Sequence, residues 1–173
     1  MLGVMHGTYS TVDDRPALTF ERRLAHPVEH VWRAVTDPAE LAHWFPSAVS
    51  GEVAPGGRLT FEFPDDHMPP LEGEVVELEP PRRFAFTWGE DVLRIELEAA
   101  GDGCVLRFTC LFDEAERAAR DAAGWHVCLE LLERHLGGTP TRAPGREPTP
   151  GWRELYEEYQ RRGLPAGAPV PGA

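Results

Sequence analysis

Near its C-terminal end the chain reads Gly124-Trp-His-Val-Cys-Leu-Glu-Leu-Leu-Glu-Arg-His-Leu136, the second half of a helix that we predict over Asp113–Leu136. The charged run that opens this helix, from Asp113 to Asp121, is predicted to be solvated, with Asp113 as the N-cap. A long helix with one apolar face has to bury that face against other elements. Its apolar residues recur at steps of three and four and therefore share a face: Trp125, Cys128, Leu129, Leu132 and Leu136.

The segments before this helix alternate between apolar and polar residues, which is typical of strands with one wet face. Leu18–Leu24 is the first long strand, and residues 7–12 are predicted to pair with it across a turn at Asp13-Asp14. Turn-forming residues separate the later segments, which predicts an antiparallel meander. Its strands are predicted at residues 49–53, 58–63, 73–79, 84–88, 92–99 and 105–112.

Two short helices are predicted between the first long strand and the meander. Pro27 favours a first-turn position, so the first helix begins after His26. Asp37-Pro38 ends that helix and starts a second one over Ala39–Trp44. The order of strand, two helices, strands and long helix predicts an α+β fold, in which a curved, mostly antiparallel sheet of six to seven strands wraps around the long helix.

The chain has 173 residues and a formal charge of −12. Its length favours one domain, and its acidity argues against nucleic acid or an anionic membrane as partners. All 17 basic residues are arginines, which excludes the lysine chemistry of Schiff bases and P-loops. Cys104, Cys110 and Cys128 lack metal-ligand spacing, so we predict buried, reduced thiols in a cytoplasmic protein.

The composition changes after Leu136, and we predict five segments. They are an N-terminal segment 1–16 that offers an extra strand, a domain 17–137, a Pro/Gly-rich linker 138–151, an amphipathic helix 152–162 and a disordered tail 163–173. An isolated helix of this length is marginal in water. It is therefore expected to dock on the domain or on a second subunit, which makes a homodimer one alternative. Its apolar edge consists of Trp152, Leu155, Tyr156 and Tyr159.

Five motifs together resemble the START-like helix-grip superfamily (SRPBCC), in the branch related to the C-terminal domain of the heat shock protein 90 ATPase activator. They are Arg22-Arg-Leu-Ala-His-Pro-Val-Glu-His-Val-Trp-Arg-Ala-Val-Thr-Asp-Pro38, Leu41-Ala-His-Trp-Phe-Pro46, Pro55-Gly-Gly-Arg-Leu59, Pro80-Pro-Arg-Arg-Phe-Ala-Phe-Thr-Trp88 and Gly124-Trp125. The resemblance covers about residues 17–136 and implies a curved sheet that grips the C-terminal helix around an apolar cavity. Members of the superfamily bind lipids, sterols or polyketides, cyclise aromatic polyketides, or bind partner proteins.

Two patterns resemble a zinc site and a catalytic pair, but we interpret their residues as structural. His26-Pro-Val-Glu-His30 matches the H-x-x-E-H zinc pattern, but Pro27 marks the helix start and takes His26 out of helical geometry. Cys128 and His135 share a helical face but lie two turns apart, too far for a hydrogen bond. No catalytic residue, metal ligand or cofactor is predicted.

The predicted site is a set of apolar residues that line the space between sheet and helix. Aromatic rings leave irregular gaps that suit flat apolar ligands. Four polar groups are candidates for orienting a ligand, namely Arg22, His43, His67 and Glu77, with Glu77 as the partner of a buried Arg22. The predicted lining is Trp44, Phe45, Phe61, Phe63, Phe86, Trp88, Phe108, Cys110, Trp125, Cys128, Leu129 and Leu132.

The sequence favours binding of a small hydrophobic or aromatic molecule in this space, without catalysis. One alternative is a cyclase or lyase-type enzyme acting on a polyketide-like substrate, which would need a buried ionisable group with a shifted pKa. The other alternative is a protein-interaction module of the co-chaperone kind, with a filled cavity and an external working surface.

Overall fold

A computed structural model describes residues 5–64, 68–145 and 148–170 of the chain. Every strand pairing is antiparallel, and the sheet order is β1-β2-β8-β7-β6-β5-β4-β3. The first long strand therefore pairs with the last strand of the meander, and the first strand of the meander lies at the opposite edge of the sheet. The strands are β1 (Thr8–Val12), β2 (Arg15–Leu24), β3 (Ala48–Gly51), β4 (Arg58–Glu62), β5 (Leu71–Glu79), β6 (Arg83–Trp88), β7 (Asp91–Ala100) and β8 (Gly103–Leu111).

The sheet has eight strands in this part of the chain, more than the six to seven predicted. The predicted hairpin of residues 7–12 with Leu18–Leu24 is confirmed as β1 and β2. Asp13 and Asp14 form its turn with φ of 51° and 62°, a left-handed conformation that Asp tolerates better than most residues. The extra strand arises because β1 and the four-residue β3 both join the sheet, one at each edge.

Two helices, α1 (Val28–Thr36) and α2 (Pro38–Leu41), connect β2 to β3. Pro27 occupies the N-cap of α1, one position before the first turn in which the sequence predicted it. Asp37 caps α2 because its carboxylate accepts a hydrogen bond from the Ala39 N–H at 2.9 Å. The second helix is shorter than the predicted Ala39–Trp44, and the chain continues beyond Leu41 as hydrogen-bonded turns in which the Trp44 and Phe45 N–H groups both donate to the Leu41 carbonyl.

The long helix α3 spans Ala118–Leu136, five residues shorter at its start than predicted. Asp113 is not its N-cap, because the Asp113 carboxylate binds the Arg15 guanidinium at 3.0 Å instead. A short 3-10 turn at Ala115–Arg117 follows, and no side chain among the described residues caps the start of α3. Its apolar face is buried against the sheet as predicted, since Trp125, Cys128, Leu129, Leu132 and Leu136 all lie in the core.

The inner face of the sheet consists of cross-strand apolar rows. One row runs Phe20–Phe108–Ile95–Phe84, and a second runs Leu18–Cys110–Leu93–Phe86–Val75. The outer face carries opposite charges side by side along the row Glu21–Arg107–Glu96–Arg83. Such pairs favour this register, because like charges directly opposite one another would repel.

A fourth helix, α4 (Pro150–Arg161), packs on α3 and completes the core with the fully buried Tyr159. Residues 163–170, within the tail that the sequence predicts to be disordered, contact the start of α3. The Pro165 carbonyl accepts a hydrogen bond from the Ala119 N–H at 2.9 Å, and the Ala168 N–H donates to the Glu116 carbonyl at 3.3 Å. The tail thus supplies an acceptor that the uncapped first turn of α3 requires.

Candidate functional site

An aromatic cluster lies between the sheet and α3, with Phe45 at its centre. The Phe45 ring centroid lies 5.7–6.0 Å from the centroids of five other rings, most of them at the tilted or edge-on angles that aromatic pairs prefer. We call this group the Phe45 cluster. Its members around Phe45 are Trp44, Phe61, Phe86, Trp88 and Trp125.

Sheet and helix both contribute to the Phe45 cluster. Phe86 and Trp88 alternate inward from β6, and Trp125 projects from α3 to lie 5.4 Å from Trp88 and 4.9 Å from Phe108. Phe63, just after β4, lies 5.9 Å from Trp88. Alternation along strands and one helical face therefore bring together residues that are more than sixty positions apart in the chain.

The Trp88 indole N–H is buried and has no hydrogen-bond partner within the described residues, and the same holds for the Ser47 hydroxyl. By contrast, the Trp44 indole donates to the Ala34 carbonyl at 2.9 Å. Buried tryptophan N–H groups usually find an acceptor. The Trp88 donor is the unsatisfied polar group of the cluster, and its ring is partly exposed.

The two cysteines of the predicted lining are buried and unreactive. Burial raises the pKa of the Cys128 thiol to about 12. Burial, together with the carboxylates of Asp91 and Asp121, raises the pKa of Cys110 well above its ordinary value. The nucleophilic form of cysteine is the thiolate, so these side chains act as small apolar groups at neutral pH.

Arg22 is buried, as its position on β2 predicted, but its predicted partner was wrong. The Arg22 Nε binds the Glu133 carboxylate of α3 at 3.1 Å, whereas Glu77 lies 3.5 Å from Arg83. Glu77 is on β5, and three strands separate β5 from β2 in the sheet. Parity along a strand predicts the face on which a residue lies, but it does not predict which strand is adjacent.

His43 is held by residues near the C-terminal end of α3. Its Nδ1 donates to the Thr141 carbonyl at 3.0 Å, and its ring stacks on the His135 ring at 4.3 Å. His135 in turn lies 2.6 Å from the Glu40 carboxylate, and this contact lowers the pKa of Glu40. The fourth predicted polar group, His67, lies outside the described residues. Arg22, His43 and Glu77 are thus in separate places rather than at one site.

A buried charge cluster joins the start of β7 to the start of α3, and sequence reasoning missed it. Arg117 donates to both carboxylate oxygens of Asp91, at 3.1 and 2.6 Å, and also contacts Asp121 at 2.8 Å. Asp91 is only 5% exposed, and burial raises its pKa while Arg117 opposes that shift. The sequence gives no signal for this pairing, because Gly89-Glu-Asp91 reads as an ordinary turn.

A separate cleft of about 660 Å³ lies between the start of α1 and the outer rows of β6, β7 and β8. It shares no residue with the predicted lining, and both signs of charge line it, including Arg82, Arg107, Glu29 and Glu98. Because side chains of both charges line this open cleft, it does not favour one class of ligand. The Phe45 cluster, which is apolar and holds an unsatisfied donor, is the better candidate for a binding site.

Within the described residues, no three His, Cys, Asp or Glu side chains are arranged to hold a metal ion. His26 and His30 lie near each other, with ring centroids 5.2 Å apart, but no third ligand joins them there. No helix in the described part of the chain is both long and apolar enough to cross a membrane.

A curved antiparallel sheet that grips a long C-terminal helix, with two short helices after the first long strand, defines the START-like helix-grip class. A family model described as activator of Hsp90 ATPase homolog 1-like protein matches residues 25–137, and the chain belongs to this family. No curated protein sequence matches the chain significantly.

Solved structures share the fold across most of the chain. The crystal structure of CalU16 from Micromonospora echinospora is 22% identical, with a TM-score of 0.70 over 91% of this chain and 93% of that one. EF2215 from Enterococcus faecalis, a conserved protein of unknown function, is 22% identical, with a TM-score of 0.71 over 90% of this chain and 89% of that one. DynU16, from the dynemicin biosynthetic locus, is 26% identical, with a TM-score of 0.64 over 73% of this chain and 49% of that one.

Proposed function

We propose that this protein binds a small hydrophobic or aromatic molecule between the sheet and α3, against the Phe45 cluster. The observation that carries the proposal is the buried Trp88 N–H without an acceptor among the described residues. A buried donor without a partner costs about 1–3 kcal/mol. A ligand that brings an acceptor atom to Trp88 would remove this cost, so the preferred ligand is flat and apolar with at least one hydrogen-bond acceptor.

The partly exposed rings of Trp88 and Phe63 are the proposed entry point. Phe45 touches five rings at the centre of the cluster, so a ligand would have to displace or rotate it to reach Trp125. Apolar burial, at about 25 cal/mol per Å², would supply the affinity. The polar groups at Arg22, His43 and Glu77 have other partners, so Trp88 and Ser47 replace them as the groups that orient the ligand.

A catalytic role on a polyketide-like substrate draws its support from the resemblance of the fold to DynU16, a protein of a biosynthetic locus. General acid–base chemistry needs an ionisable group in reach of the substrate. Near the cluster, burial keeps Cys110 and Cys128 protonated, and Arg117 already engages both oxygens of Asp91. We therefore propose binding as the primary activity.

The relationship to the Hsp90 activator family suggests a role in protein interaction as the alternative function. The homodimer stays a separate prediction. The apolar edge of α4 is largely used within its own chain, where Tyr159 is fully buried against α3. The three free, buried thiols support the expectation of a reducing, cytoplasmic location.

The binding proposal is tested with the fluorescent apolar probe 1-anilinonaphthalene-8-sulfonate, which carries acceptor oxygens. Trp88→Phe keeps an aromatic ring but removes the N–H, so we expect the probe to bind about 5–10-fold more weakly, as for the loss of one hydrogen bond. Trp152→Phe is the matched control, because Trp152 stacks on Tyr156 of α4, away from the cluster. Equal probe affinity in Trp88→Phe and the parent chain would refute the role of Trp88.

A second variant tests the position of the site independently of Trp88. Leu132 is buried on the face of α3 that meets the sheet, and Leu132→Trp would fill the proposed space. We expect lost probe binding with an unchanged far-ultraviolet circular dichroism spectrum. Native mass spectrometry of freshly purified protein would identify a co-purified ligand directly. Unchanged probe affinity in a folded Leu132→Trp variant would refute the proposed position of the site.

A further inference from the structure

Part of the segment between α3 and α4 is hydrogen-bonded to the turn that follows α2. We call this part, residues 141–143, the strap. The Ala143 N–H donates to the Ala42 carbonyl at 3.2 Å, and the Thr141 hydroxyl donates to the His43 carbonyl at 3.1 Å. The Thr141 carbonyl in turn accepts from Nδ1 of His43 at 3.0 Å. The strap therefore holds two consecutive residues of the turn by backbone and side chain.

The ring of His43 is held a second time, by α3. It stacks on the His135 ring with centroids 4.3 Å apart and planes 10° apart. His135 is itself fixed to α2 through the Glu40 carboxylate at 2.6 Å. His43 is thus a positioning residue, anchored between the strap and the end of α3.

The same turn carries Phe45, the centre of the aromatic cluster. The Trp44 and Phe45 N–H groups donate to the Leu41 carbonyl at 3.1 and 2.8 Å, so the backbone from α2 to Phe45 forms one hydrogen-bonded unit. Phe45 is 1% exposed, and protein interiors are close-packed, so its ring cannot leave the cluster unless this backbone shifts. A ligand that displaces Phe45 to reach Trp125 therefore has to move the turn as well.

Two anchors hold the turn, and they differ in how easily they open. On one side Trp44 is 0% exposed, and its indole donates to the Ala34 carbonyl in a buried hydrogen bond. On the other side the strap lies outside any helix or strand, and Thr141 and Ala143 are only half-buried. Hydrogen bonds beside solvent open at lower cost, because water replaces the lost partner.

We propose that the strap holds Phe45 in the closed position of the proposed site, and that its release allows a ligand to enter. The strap and the ligand then compete, because the closed turn and the bound ligand both require the space of the Phe45 ring. This inference rests on the proposed function for the ligand. The hold of the strap on the turn is a property of the chain alone and is measured without a ligand.

Competition gives the sign of the effect. When only the open form binds, the apparent affinity is reduced by the fraction of molecules that are open. A weakened strap raises that fraction and therefore tightens binding, whereas damage to a residue that merely supports the fold would leave binding unchanged or weaken it. Coupling between two sites is reciprocal, so a bound ligand should in turn loosen the strap.

Hydrogen exchange of the full chain, measured by mass spectrometry, tests the hold of the strap on the turn. Thr141→Val removes the hydroxyl but keeps the size of the side chain. We expect amides in residues 42–47 to exchange about 3–10-fold faster, as for the loss of one hydrogen bond, while β7 and β8 exchange as in the parent chain.

Thr139→Val is the matched control, since it makes the same chemical change two residues earlier. The Thr139 side chain is exposed, and the residue contacts α3 through its backbone N–H, which donates to the Arg134 carbonyl. Equal exchange of residues 42–47 in Thr139→Val and Thr141→Val would overturn the proposal.

The affinity for 1-anilinonaphthalene-8-sulfonate in the same two variants tests the competition. Thr141→Val should bind the probe about 3–10-fold more tightly than the parent chain, and Thr139→Val should bind it equally. A saturating concentration of probe should also speed amide exchange in residues 141–143 of the parent chain. Equal or weaker probe binding by Thr141→Val would overturn the competition.

The strap and the proposed function can fail separately. A parent chain that does not bind the probe would refute the proposed function, and the exchange of residues 42–47 would still decide whether the strap holds the turn. Conversely, probe binding that depends on Trp88 but does not respond to Thr141→Val would refute the strap alone.

Ala143→Pro provides a second route that leaves Thr141 intact. Proline has no backbone N–H, so this variant removes the hydrogen bond to the Ala42 carbonyl. It should change exchange and probe affinity in the same direction as Thr141→Val, because the two bonds belong to one strap. Opposite responses of the two variants would overturn the proposal.

Discussion

Arg117 shows how one side chain can determine whether a buried charge is stable. It binds both oxygens of Asp91 and reaches Asp121, and its Cζ lies 5.4 Å above the Phe112 ring. Desolvation of two charges is costly, so such a pair need not add net stability. Removal of only one partner is different, because the remaining charge stays buried and unpaired.

We therefore expect Arg117→Met to lower the free energy of unfolding by about 3–5 kcal/mol. The measurement is urea unfolding at pH 7.5, followed by tryptophan fluorescence. Arg15→Met is the control, because the Arg15–Asp113 pair is exposed and should contribute about 0–1 kcal/mol. A loss in Arg117→Met no larger than that in Arg15→Met would show that Asp91 is not effectively buried.

At the scale of elements, α3 depends on segments on either side of it in the chain. The tail supplies a carbonyl to its uncapped first turn, and α4 covers a face of it that the sheet does not reach. Gly124 lies where Trp152 of α4 approaches α3. A Cβ at this position would lie 3.9 Å from the Trp152 Nε1, which is an ordinary contact distance. The approach of α4 therefore does not require a glycine.

Gly124→Ala is consequently expected to stabilise the protein by about 0.5–1 kcal/mol, because alanine has the higher helix propensity. Gly73→Ala is the contrasting variant, since a Cβ there would lie 2.1 Å from the Thr87 carbonyl and 2.7 Å from the Phe61 ring. That variant should be destabilised. Thermal unfolding of both chains checks the pair, and a destabilised Gly124→Ala would mean that α4 packs more tightly on α3 than this distance indicates.

At the scale of the whole molecule, the pairing of β2 with β8 joins the N-terminal hairpin to the meander in one sheet. Helix α4 lies outside the segment that matches the family model. A chain ending at Gly138 should therefore keep the helix-grip fold. It would lose the burial of Tyr159 and expose His126, so we expect a stability loss of at least about 3 kcal/mol, comparable with the loss of a large core aromatic residue. Urea unfolding followed by both fluorescence and circular dichroism measures this loss. A shortened chain as stable as the parent would contradict the docking of α4.

Light scattering of the same two chains tests the predicted homodimer. If α4 forms the dimer interface, the shortened chain should have the mass of one subunit and the full chain the mass of two. An unchanged number of subunits would exclude α4 as the interface.

The sequence alone was sufficient for the order of elements and for the faces they bury. Periods of two along the strands and of three to four along α3 depend only on local geometry, so Phe86, Phe108, Trp125 and Leu132 could be assigned to the interior. The turn residues and Pro27 predicted approximately where the strands and α1 begin and end, whereas α2 ends and α3 begins at other residues than predicted. The family motifs supplied the helix-grip arrangement, which periodicity alone does not specify.

Only the tertiary structure decided which of these residues are partners. Arg22 binds Glu133 rather than Glu77, Asp113 binds Arg15 rather than capping α3, and the Pro165 carbonyl of the tail accepts from the first turn of α3. The unsatisfied Trp88 N–H and the His126–Tyr159 contact likewise depend on segments far apart in the chain. Local sequence determines on which face a side chain lies, whereas the identity of its partner depends on strand order and helix docking, which bring together residues that no local pattern relates.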